Sequence, residues 1–221
     1  MGDIMKTLLI DVDGTLIDSF PGIRDSFLRA LDDMGVERPS EEFVSTIAGP
    51  PMEDTMMRLG LDREDAQRGL SLYLDHYGDT GWVNSAPFEG MVDFLAWAKE
   101  AGLQLATATS KGEGFARATL ERYHMLEYFD FLAAAQEDGP RRTKEKVIRY
   151  ALDNLPHPSD PSQMLLIGDR IHDIEGAQAF TIPAVLVQWG YGTPQEQALA
   201  HDVVASPQAL KEYVHDWIHS S

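Results

Sequence analysis

Cysteine is absent from the 221 residues of the chain, and basic side chains are scarce. Without cysteine there are no disulfides, no thiolate metal sites and no cysteine nucleophile. Against 36 aspartates and glutamates there are 18 lysines and arginines, which gives a formal net charge of −18. Because this charge repels phosphate backbones, we expect no nucleic acid polymer among the partners of the protein.

Long apolar runs are also missing. None approaches the roughly 20 residues that a membrane-spanning helix requires, so we expect no membrane partner. Residues 1–11 are too acidic, and their apolar run is too short, for a signal peptide, which favours a cytoplasmic protein. Hydrophobic residues nevertheless form 43% of the chain, enough for one sizeable core and a small second domain.

Short apolar runs, typical of buried strands, alternate with amphipathic stretches of helical length. We predict strands at 7–10, 103–108, 129–135, 164–167 and 184–187. Helices are predicted between them at 90–101, 115–123, 144–155 and 174–180. The alternation predicts an α/β fold with a Rossmann-like three-layer core, in which helices cover both faces of a parallel sheet. Ligands of such sheets bind beyond the carboxyl ends of the strands.

Residues between the first two predicted strands break this alternation. Successive helices are predicted there at 22–34, 41–47, 53–59 and 63–77, separated by proline and glycine. No apolar run typical of a strand lies among them. We therefore assign residues 1–17 and 86–221 to an α/β core domain, and residues 18–85 to an inserted all-helical domain, called the cap below.

Two aspartates, Asp11 and Asp13, directly follow the first predicted strand, and Gly14 permits a tight turn there. In such a turn the two carboxylates converge, which is unfavourable unless a cation or a shared proton separates their charges. A Mg²⁺ ion, which prefers oxygen ligands, meets this need. An ordinary polar loop with an Asp-Gly turn is the alternative interpretation.

A second acidic cluster, with Asp169 and Asp173, follows the predicted strand at 164–167. Asp173 alone is explained equally by a position in the first turn of a helix, where the helix dipole favours a carboxylate. Two strands of one sheet that both end in aspartates indicate a functional site, which a single acid at a helix start does not. Together they supply the all-oxygen ligand set that magnesium prefers.

Candidate phosphate-binding groups lie in two other places. Thr109 and Ser110 follow the strand at 103–108, where a hydroxyl and backbone N–H groups can bind phosphoryl oxygens. An ordinary helix N-cap explains them as well. Lys144 begins a predicted helix, against the preference of the helix dipole, which hints at another role. Because Arg141, Arg142 and Lys146 surround it, spacing alone does not single out Lys144.

Four ordered motifs resemble those of the haloacid dehalogenase (HAD) superfamily. Residues 11–16 read DVDGTL and are similar to its first motif, DxDGTL. Thr109 ends a strand as in the second motif, and Lys144 occupies the place of the lysine of the third. Residues 168–173 read GDRIHD and resemble the fourth motif, GDxxxD. The resemblance covers essentially the whole chain.

The resemblance implies a Mg²⁺-dependent phosphatase in which Asp11 is the nucleophile and forms an aspartyl-phosphate. Asp13 would protonate the leaving group and then deprotonate the attacking water. Asp11, Asp169 and the backbone carbonyl of Asp13 would bind the metal, while Asp173 would orient the water ligands of the metal or Lys144.

The same resemblance implies that Asp11, Thr109, the backbone of Ser110 and Lys144 hold the transferred phosphoryl group. An acid at position 13 argues against dehalogenation, because a halide needs no proton. The absence of lysine between Lys6 and Lys99 argues against the phosphonate-cleaving branch. A sugar-phosphate phosphomutase, which carries a basic residue near position 23, and a non-catalytic phospho-ligand-binding protein remain as alternatives.

The cap resembles the helical C1 cap of the phosphoglycolate phosphatase-like and 5′-nucleotidase-like branch, with Gly49 in the matching loop. Arg170 and His172 depart from the commoner fourth motif and leave the substrate open among phosphoglycolate, a nucleotide and a sugar phosphate. The role of Arg170 is not assigned, and His172 is expected to face solvent. Tyr73, Tyr77 and Trp82 are interpreted as cap core, with a base-stacking platform as the alternative. Arg24 is interpreted as an exposed helix residue, with contact to a second anionic group as the alternative. Members of the family are monomers or homodimers.

Overall fold

The computed structural model describes residues 5–136, 139–157 and 160–220. Its strands are β1 Thr7–Ile10, β2 Ile17–Asp18, β3 Ala86–Pro87, β4 Gln104–Thr107, β5 Thr109–Gly112, β6 Ala134–Ala135, β7 Met164–Gly168, β8 Ala184–Val187 and β9 Asp202–Val204. Its α-helices are α1 Phe20–Met34, α2 Glu41–Val44, α3 Met52–Arg58, α4 Arg63–His76, α5 Met91–Glu100, α6 Glu113–Arg122, α7 Lys144–Asn154, α8 Ile171–Gln178, α9 Pro194–Gln197 and α10 Pro207–His219. Among the described residues, no helix has both the length and the apolar composition needed to cross a membrane.

Five parallel strands form the central sheet in the order β4-β1-β7-β8-β9. In β1, Leu8 lies opposite Leu105 of β4 and Leu165 of β7. Because β1 has a strand on each side and helices above and below, all four of its side chains are buried. Burial on both faces explains why the strand is an uninterrupted apolar run in the sequence.

Helices cover both faces of this sheet. Leu8 and Ile10 point to one face and pack in a cluster with apolar residues of α5 and α10, such as Phe94 and Val214. Leu9 points to the other face and packs with residues of α7 and α8. The predicted α/β fold with a three-layer core is therefore confirmed.

Helices α1 to α4 share a separate apolar cluster, centred on Phe27, Leu31 and Met56. The chain enters and leaves this region through β2 and β3, which pair antiparallel with Ile17 opposite Pro87. A π-helical turn, Tyr77–Gly81, extends α4. The helical character predicted for the region is observed, while the boundaries at residues 18 and 85 stay a prediction.

Several parts of the core differ from the sequence prediction, among them β5, which lies where a turn was expected. The strand predicted at 129–135 is reduced to β6 and a single bridge between Phe131 and Ala106, because this segment lies at the edge of the core and pairs on one side only. The edge strand β9 and the last helix, α10, were not predicted. β9 has three residues, one of them a charged and exposed aspartate, so it shows no apolar run.

Candidate active site

The register of the central sheet brings the sequence motifs together at the carboxyl ends of its strands. Ile10 lies opposite Thr107 of β4 and Ile167 of β7. Asp11, the next residue, donates its backbone N–H to the carbonyl of Ile167 at 2.9 Å. The first, second and fourth motifs therefore begin at one edge of the sheet, as the strand ends predict.

Three aspartates, Asp11, Asp169 and Asp173, form a buried cluster at this edge, with one carboxylate oxygen of each within 4.8 Å of the others. Backbone N–H groups fix two of the three. Asp173 Oδ2 accepts hydrogen bonds from the amides of Asp169 and Arg170 at 3.1 and 3.0 Å. Asp169 Oδ2 accepts one from the amide of Tyr191 at 2.7 Å.

Burial of these carboxylates disfavours their charged forms. Burial raises the pKa of Asp11 to about 6; the nearby Lys144 opposes this rise, and the carboxylates of Asp173 and Asp13 add to it. Burial also raises the pKa of Asp169 well above its ordinary value, and repulsion from Asp173 and Asp11 acts in the same direction. A bound cation would relieve this repulsion and keep the cluster ionised.

The donor set fits a hard divalent cation. Asp169 Oδ1 is buried and has no hydrogen-bond partner within the described part of the chain. Such an orphaned oxygen is costly unless a ligand satisfies it, and a set of carboxylate oxygens is what Mg²⁺ prefers. The carboxylate of Asp13 lies outside this cluster and that of Asp173 lies within it. The residues present thus fit a metal.

Lys144 provides positive charge inside the protein beside the cluster. Its ammonium lies 3.0 Å from Asp11 Oδ1 and 2.8 Å from Asp173 Oδ1, and donates to the carbonyl of Ala108 at 2.7 Å. Burial lowers the pKa of Lys144, but Asp11 and Asp173 outweigh burial and hold the pKa above its ordinary value. The ammonium therefore stays charged at neutral pH.

Two of the three other basic residues near the start of α7 are engaged away from Asp11. Arg141 pairs with Glu113 at 2.9 Å, and Lys146 donates to the carbonyl of Pro140 at the same distance. Arg142 is exposed and lines the same cavity as Asp11, which is described below. Lys144 is the residue of this group whose ammonium pairs with Asp11, and its role in phosphate binding stays a prediction.

Asp13 contacts a lysine to which the sequence argument gave no role. Lys111 is almost completely buried, and its ammonium lies 3.0 Å from Asp13 Oδ1. It also donates to the hydroxyl of Tyr77, which belongs to the cap. The hydroxyl of Ser19 donates to the same Asp13 oxygen. Lys111 lies two residues after Thr109 in β5, and in a strand this spacing places both side chains on one face. The alternation of side chains along a strand could therefore have indicated that Lys111 lies near the site.

Thr109 and Ser110 lie where the second motif places them. Thr109 is buried, and its hydroxyl accepts a hydrogen bond from the amide of Lys111 at 3.2 Å. Ser110 is half-buried. Both line a cavity of about 380 Å³ together with Asp11 and Asp13. This volume lies in the range of small-molecule sites, about 300–1,000 Å³.

Arg170 links the core to the cap. Its guanidinium donates to the carbonyl of Ala48 in the cap and pairs with Glu196 at 3.1 Å. The neighbouring Gly49 has φ of +106°, and a Cβ there would lie 3.0 Å from Arg170 Nη1. A left-handed backbone and this close approach both favour glycine. His172 is half-buried as a residue, but its side chain is 41% exposed and lies 3.6 Å from Glu175, so it faces solvent as expected.

The remaining cap residues that the sequence singled out fall into two groups. Arg24 is half-buried, more than the exposed helix residue that was expected, and pairs with the exposed Glu41 at 3.0 Å. Tyr73 and Tyr77 are buried in the cap cluster and also line the cavity, so their interpretation as core was incomplete. Trp82 packs against the cap cluster.

Comparison with known proteins identifies relatives across the chain. A model of the family described as "Haloacid dehalogenase-like hydrolase" matches residues 8–187. A 5′-nucleotidase of Pseudomonas aeruginosa is 31% identical over 93% of this chain and 96% of its own length. A phosphoglycolate phosphatase of Mesorhizobium japonicum is 32% identical over 83% of each chain.

Other similar proteins include one named as a kinase and one solved structure. The tyrosine-protein kinase PtkA of Mycobacterium tuberculosis is 39% identical over 86% of this chain; the match spans 65% of the length of PtkA. The crystal structure of a predicted phosphatase from Clostridium acetobutylicum superposes with a TM-score of 0.90 at 29% identity, covering 97% of this chain and all of the other. The resemblance drawn from the four motifs is confirmed, and the chain belongs to the haloacid dehalogenase-like hydrolase family.

Proposed function

We propose that this protein is a Mg²⁺-dependent phosphatase that hydrolyses small phosphate monoesters through an aspartyl-phosphate on Asp11. One observation carries the proposal: Asp11 lies beside Lys144, within a buried group of three aspartates, and lines a cavity of small-molecule size. The relatives named phosphoglycolate phosphatase and 5′-nucleotidase support this reaction class.

In the proposed site, Asp11, Asp169 and the backbone carbonyl of Asp13 would hold the metal, and Asp173 would position Lys144. A bound Mg²⁺ neutralises charge on the phosphoryl group and on the carboxylates that approach it. Lys144 adds a fixed positive charge on the protein side. Without these cations, a carboxylate and a phosphate dianion would repel each other.

The proposed reaction has two steps. A carboxylate oxygen of Asp11 attacks phosphorus, and the bond from phosphorus to the ester oxygen breaks while Asp13 gives its proton to that oxygen. A water then attacks the phosphorus of the aspartyl-phosphate, Asp13 takes its proton, and inorganic phosphate leaves as the Asp11 carboxylate is restored. Thr109, the Ser110 backbone and Lys144 hold the phosphoryl oxygens during both steps.

The cap, residues 18–85, is proposed to close over this site and exclude bulk water. Its contacts with the core support this role, since Tyr77 binds Lys111 and the carbonyl of Ala48 binds Arg170. Lids of this kind protect reactive intermediates from unproductive chemistry. Closure would also hold Lys111 against Asp13, the proposed acid and base.

Hydrolysis of p-nitrophenyl phosphate tests the proposal. We expect turnover that requires Mg²⁺, is lost in excess chelator, and falls by at least about a thousandfold in Asp11→Asn, because the amide is not a nucleophile. Asp153→Asn, an exposed aspartate of α7, is the matched control and should behave as the wild type. Full activity in chelator or in Asp11→Asn would contradict the mechanism.

Phosphoryl transfer to a protein tyrosine is a second candidate, favoured by the 39% identity to a relative named tyrosine-protein kinase. The same Asp11 chemistry would serve, with a phenol in place of water as acceptor. Labelled ATP and a tyrosine-containing peptide distinguish the two, because transfer gives labelled peptide and hydrolysis gives labelled phosphate. Phosphomutase activity is disfavoured, since Ile23, at the position where mutases carry a basic residue, is apolar and lines the cavity.

A further inference from the structure

The cap contributes an apolar wall to the cavity above Asp11. Ile23, Ile47, Met52 and Leu70 line this wall. Ile23 and Ile47 are almost completely buried, so their positions are fixed by packing within the cap. An apolar group placed against this wall would lose its contact with water, which favours binding.

Three aromatic rings form the adjoining part of the wall. Tyr73 stacks on Tyr77 with centroids 5.5 Å apart, and Tyr77 meets Phe115 edge-on at 5.1 Å. Phe115, on α6 of the core, is half-buried and lines the cavity. Burial raises the pKa of both tyrosines, so these rings stay neutral. Of the three rings, the half-buried Phe115 offers the most surface to the cavity, and a contact with another aromatic ring is worth more than its buried area alone.

The charges that line the cavity disfavour a second acid on the substrate. The cap supplies two acids, Glu53 and Asp54, and no basic side chain among its described lining residues. From the core, Lys111 is already engaged by Asp13 and Tyr77, and the exposed Arg142 also lines the cavity. A leaving group whose carboxylate lay against the cap would therefore face like charge from Glu53 and Asp54, with no cation supplied by the cap.

We infer that the leaving group of the substrate carries an uncharged aromatic ring, and that the cap side of the cavity selects against a carboxylated leaving group such as glycolate. The inference rests on the proposed phosphatase function. A phenol and the base of a nucleoside share this chemistry. Either ring would pack between the aliphatic wall and Phe115, with its phosphate at Asp11.

Specificity constants for three substrates test the inference and distinguish the two sources of the ring. We expect kcat/KM for phenyl phosphate, for inosine 5′-monophosphate, or for both, to exceed that for phosphoglycolate by about tenfold or more. Aromatic contacts and burial of a ring contribute only to the two substrates that carry a ring. The better of the two ring substrates identifies the source. A higher kcat/KM for phosphoglycolate than for both would overturn the inference.

A paired charge change tests the role of the acidic residues. Glu53→Gln with Asp54→Asn should raise the ratio of kcat/KM for phosphoglycolate to that for phenyl phosphate by about threefold to tenfold, since two repelling charges are removed. Glu64→Gln with Asp65→Asn is the matched control: the same two residue types, in the first turn of α4, exposed and outside the cavity lining. An unchanged ratio in the first variant would contradict the inference.

Removal of one ring tests the aromatic wall. Phe115→Leu keeps an apolar side chain, yet we expect kcat/KM for the preferred ring substrate to fall about fivefold relative to phosphoglycolate. Phe180→Leu is the control, since Phe180 is equally half-buried but packs against the core cluster away from the cavity. Equal losses for both substrates in Phe115→Leu would contradict a stacking role.

Binding of phosphonates, which the proposed reaction does not cleave, separates failure of this inference from failure of the proposed function. In calorimetric titrations with Mg²⁺, benzylphosphonate should bind about tenfold more tightly than 3-phosphonopropionate, the isostere of phosphoglycolate. This preference without any hydrolysis would remove the phosphatase proposal and leave the aromatic site. Hydrolysis combined with tighter binding of 3-phosphonopropionate would do the reverse.

Discussion

Replacement of Lys144 by methionine, which keeps most of the volume and removes the charge, should lower both stability and activity. The ammonium of Lys144 lies 3.0 Å from Asp11 and 2.8 Å from Asp173. At an effective dielectric constant of about 20, each attraction amounts to about 5 kcal/mol before the cost of desolvation. Breaking a buried ion pair by removing one partner typically costs about 3–5 kcal/mol, because the other charge is left uncompensated.

This loss should appear as a lower melting temperature. For a chain of this size, about 3–5 kcal/mol corresponds to a decrease of roughly 6–20 °C. The raised pKa of Lys144 means that its contribution is complete at all pH values below its unfolded pKa, hence throughout the neutral range. Asp11, with a pKa of about 6, is ionised above that value, so the loss should be larger at pH 8 than at pH 5.

Thermal unfolding followed by circular dichroism in chelator measures this change, and p-nitrophenyl phosphate hydrolysis with Mg²⁺ measures activity. We expect kcat to fall by a factor of about a hundred or more, since a preorganised charge at the phosphoryl group is lost. Lys146→Met is the control and should change neither quantity, because Lys146 lies two residues along the same helix, is exposed, and donates its ammonium to the carbonyl of Pro140. A wild-type melting temperature and kcat in Lys144→Met would refute the argument.

Three further changes test other parts of the site. Addition of Mg²⁺ should raise the melting temperature more at pH 8 than at pH 5. Because the pKa of Asp11 is raised in the folded protein, the metal-free protein loses stability as the pH rises from about 4 through 6. Equal increases in melting temperature at both pH values would contradict this. Gly14→Ala should weaken Mg²⁺ binding, measured by calorimetry, at least about tenfold. Gly14 has φ of +83°, and the new Cβ would lie 2.2 Å from Asp169 Oδ2. An unchanged affinity would show that the carboxylate of Asp169 is not held beside Gly14. Arg170→Met removes the hydrogen bond to the carbonyl of Ala48. This variant should lower kcat/KM about tenfold and speed protease cleavage within residues 47–51. Wild-type values for both quantities would exclude a role for Arg170 in cap closure.

The position of Asp11, Asp169 and Thr109 at one edge of the sheet was predictable from sequence alone. Each follows a short apolar run, and parallel strands that alternate with helices end at a common edge. The fold class followed from the same alternation. Lys144 needed the resemblance to a known family, because three other basic residues lie within three positions of it.

Contacts between core and cap were not predictable in the same way. Lys111 meets the hydroxyl of Tyr77, and Arg170 meets the carbonyl of Ala48 across 122 residues of chain. Such pairs depend on how the cap packs against the core, and no periodicity in the sequence encodes that packing. The edge strand β9 escaped for another reason, since pairing on one side leaves half of it exposed and removes the apolar signal.

Detection of phosphate on Asp11 tests the central claim most directly. Enzyme mixed with p-nitrophenyl phosphate and Mg²⁺ is quenched in acid within the first turnovers and treated with borohydride, which reduces an acyl phosphate to an alcohol. Mass spectrometry of the digested chain should then show homoserine in place of aspartate at position 11, and aspartate unchanged at positions 13, 169 and 173. Hydrolysis that proceeds with no modified residue, or with phosphate on another side chain, would contradict Asp11 as the nucleophile.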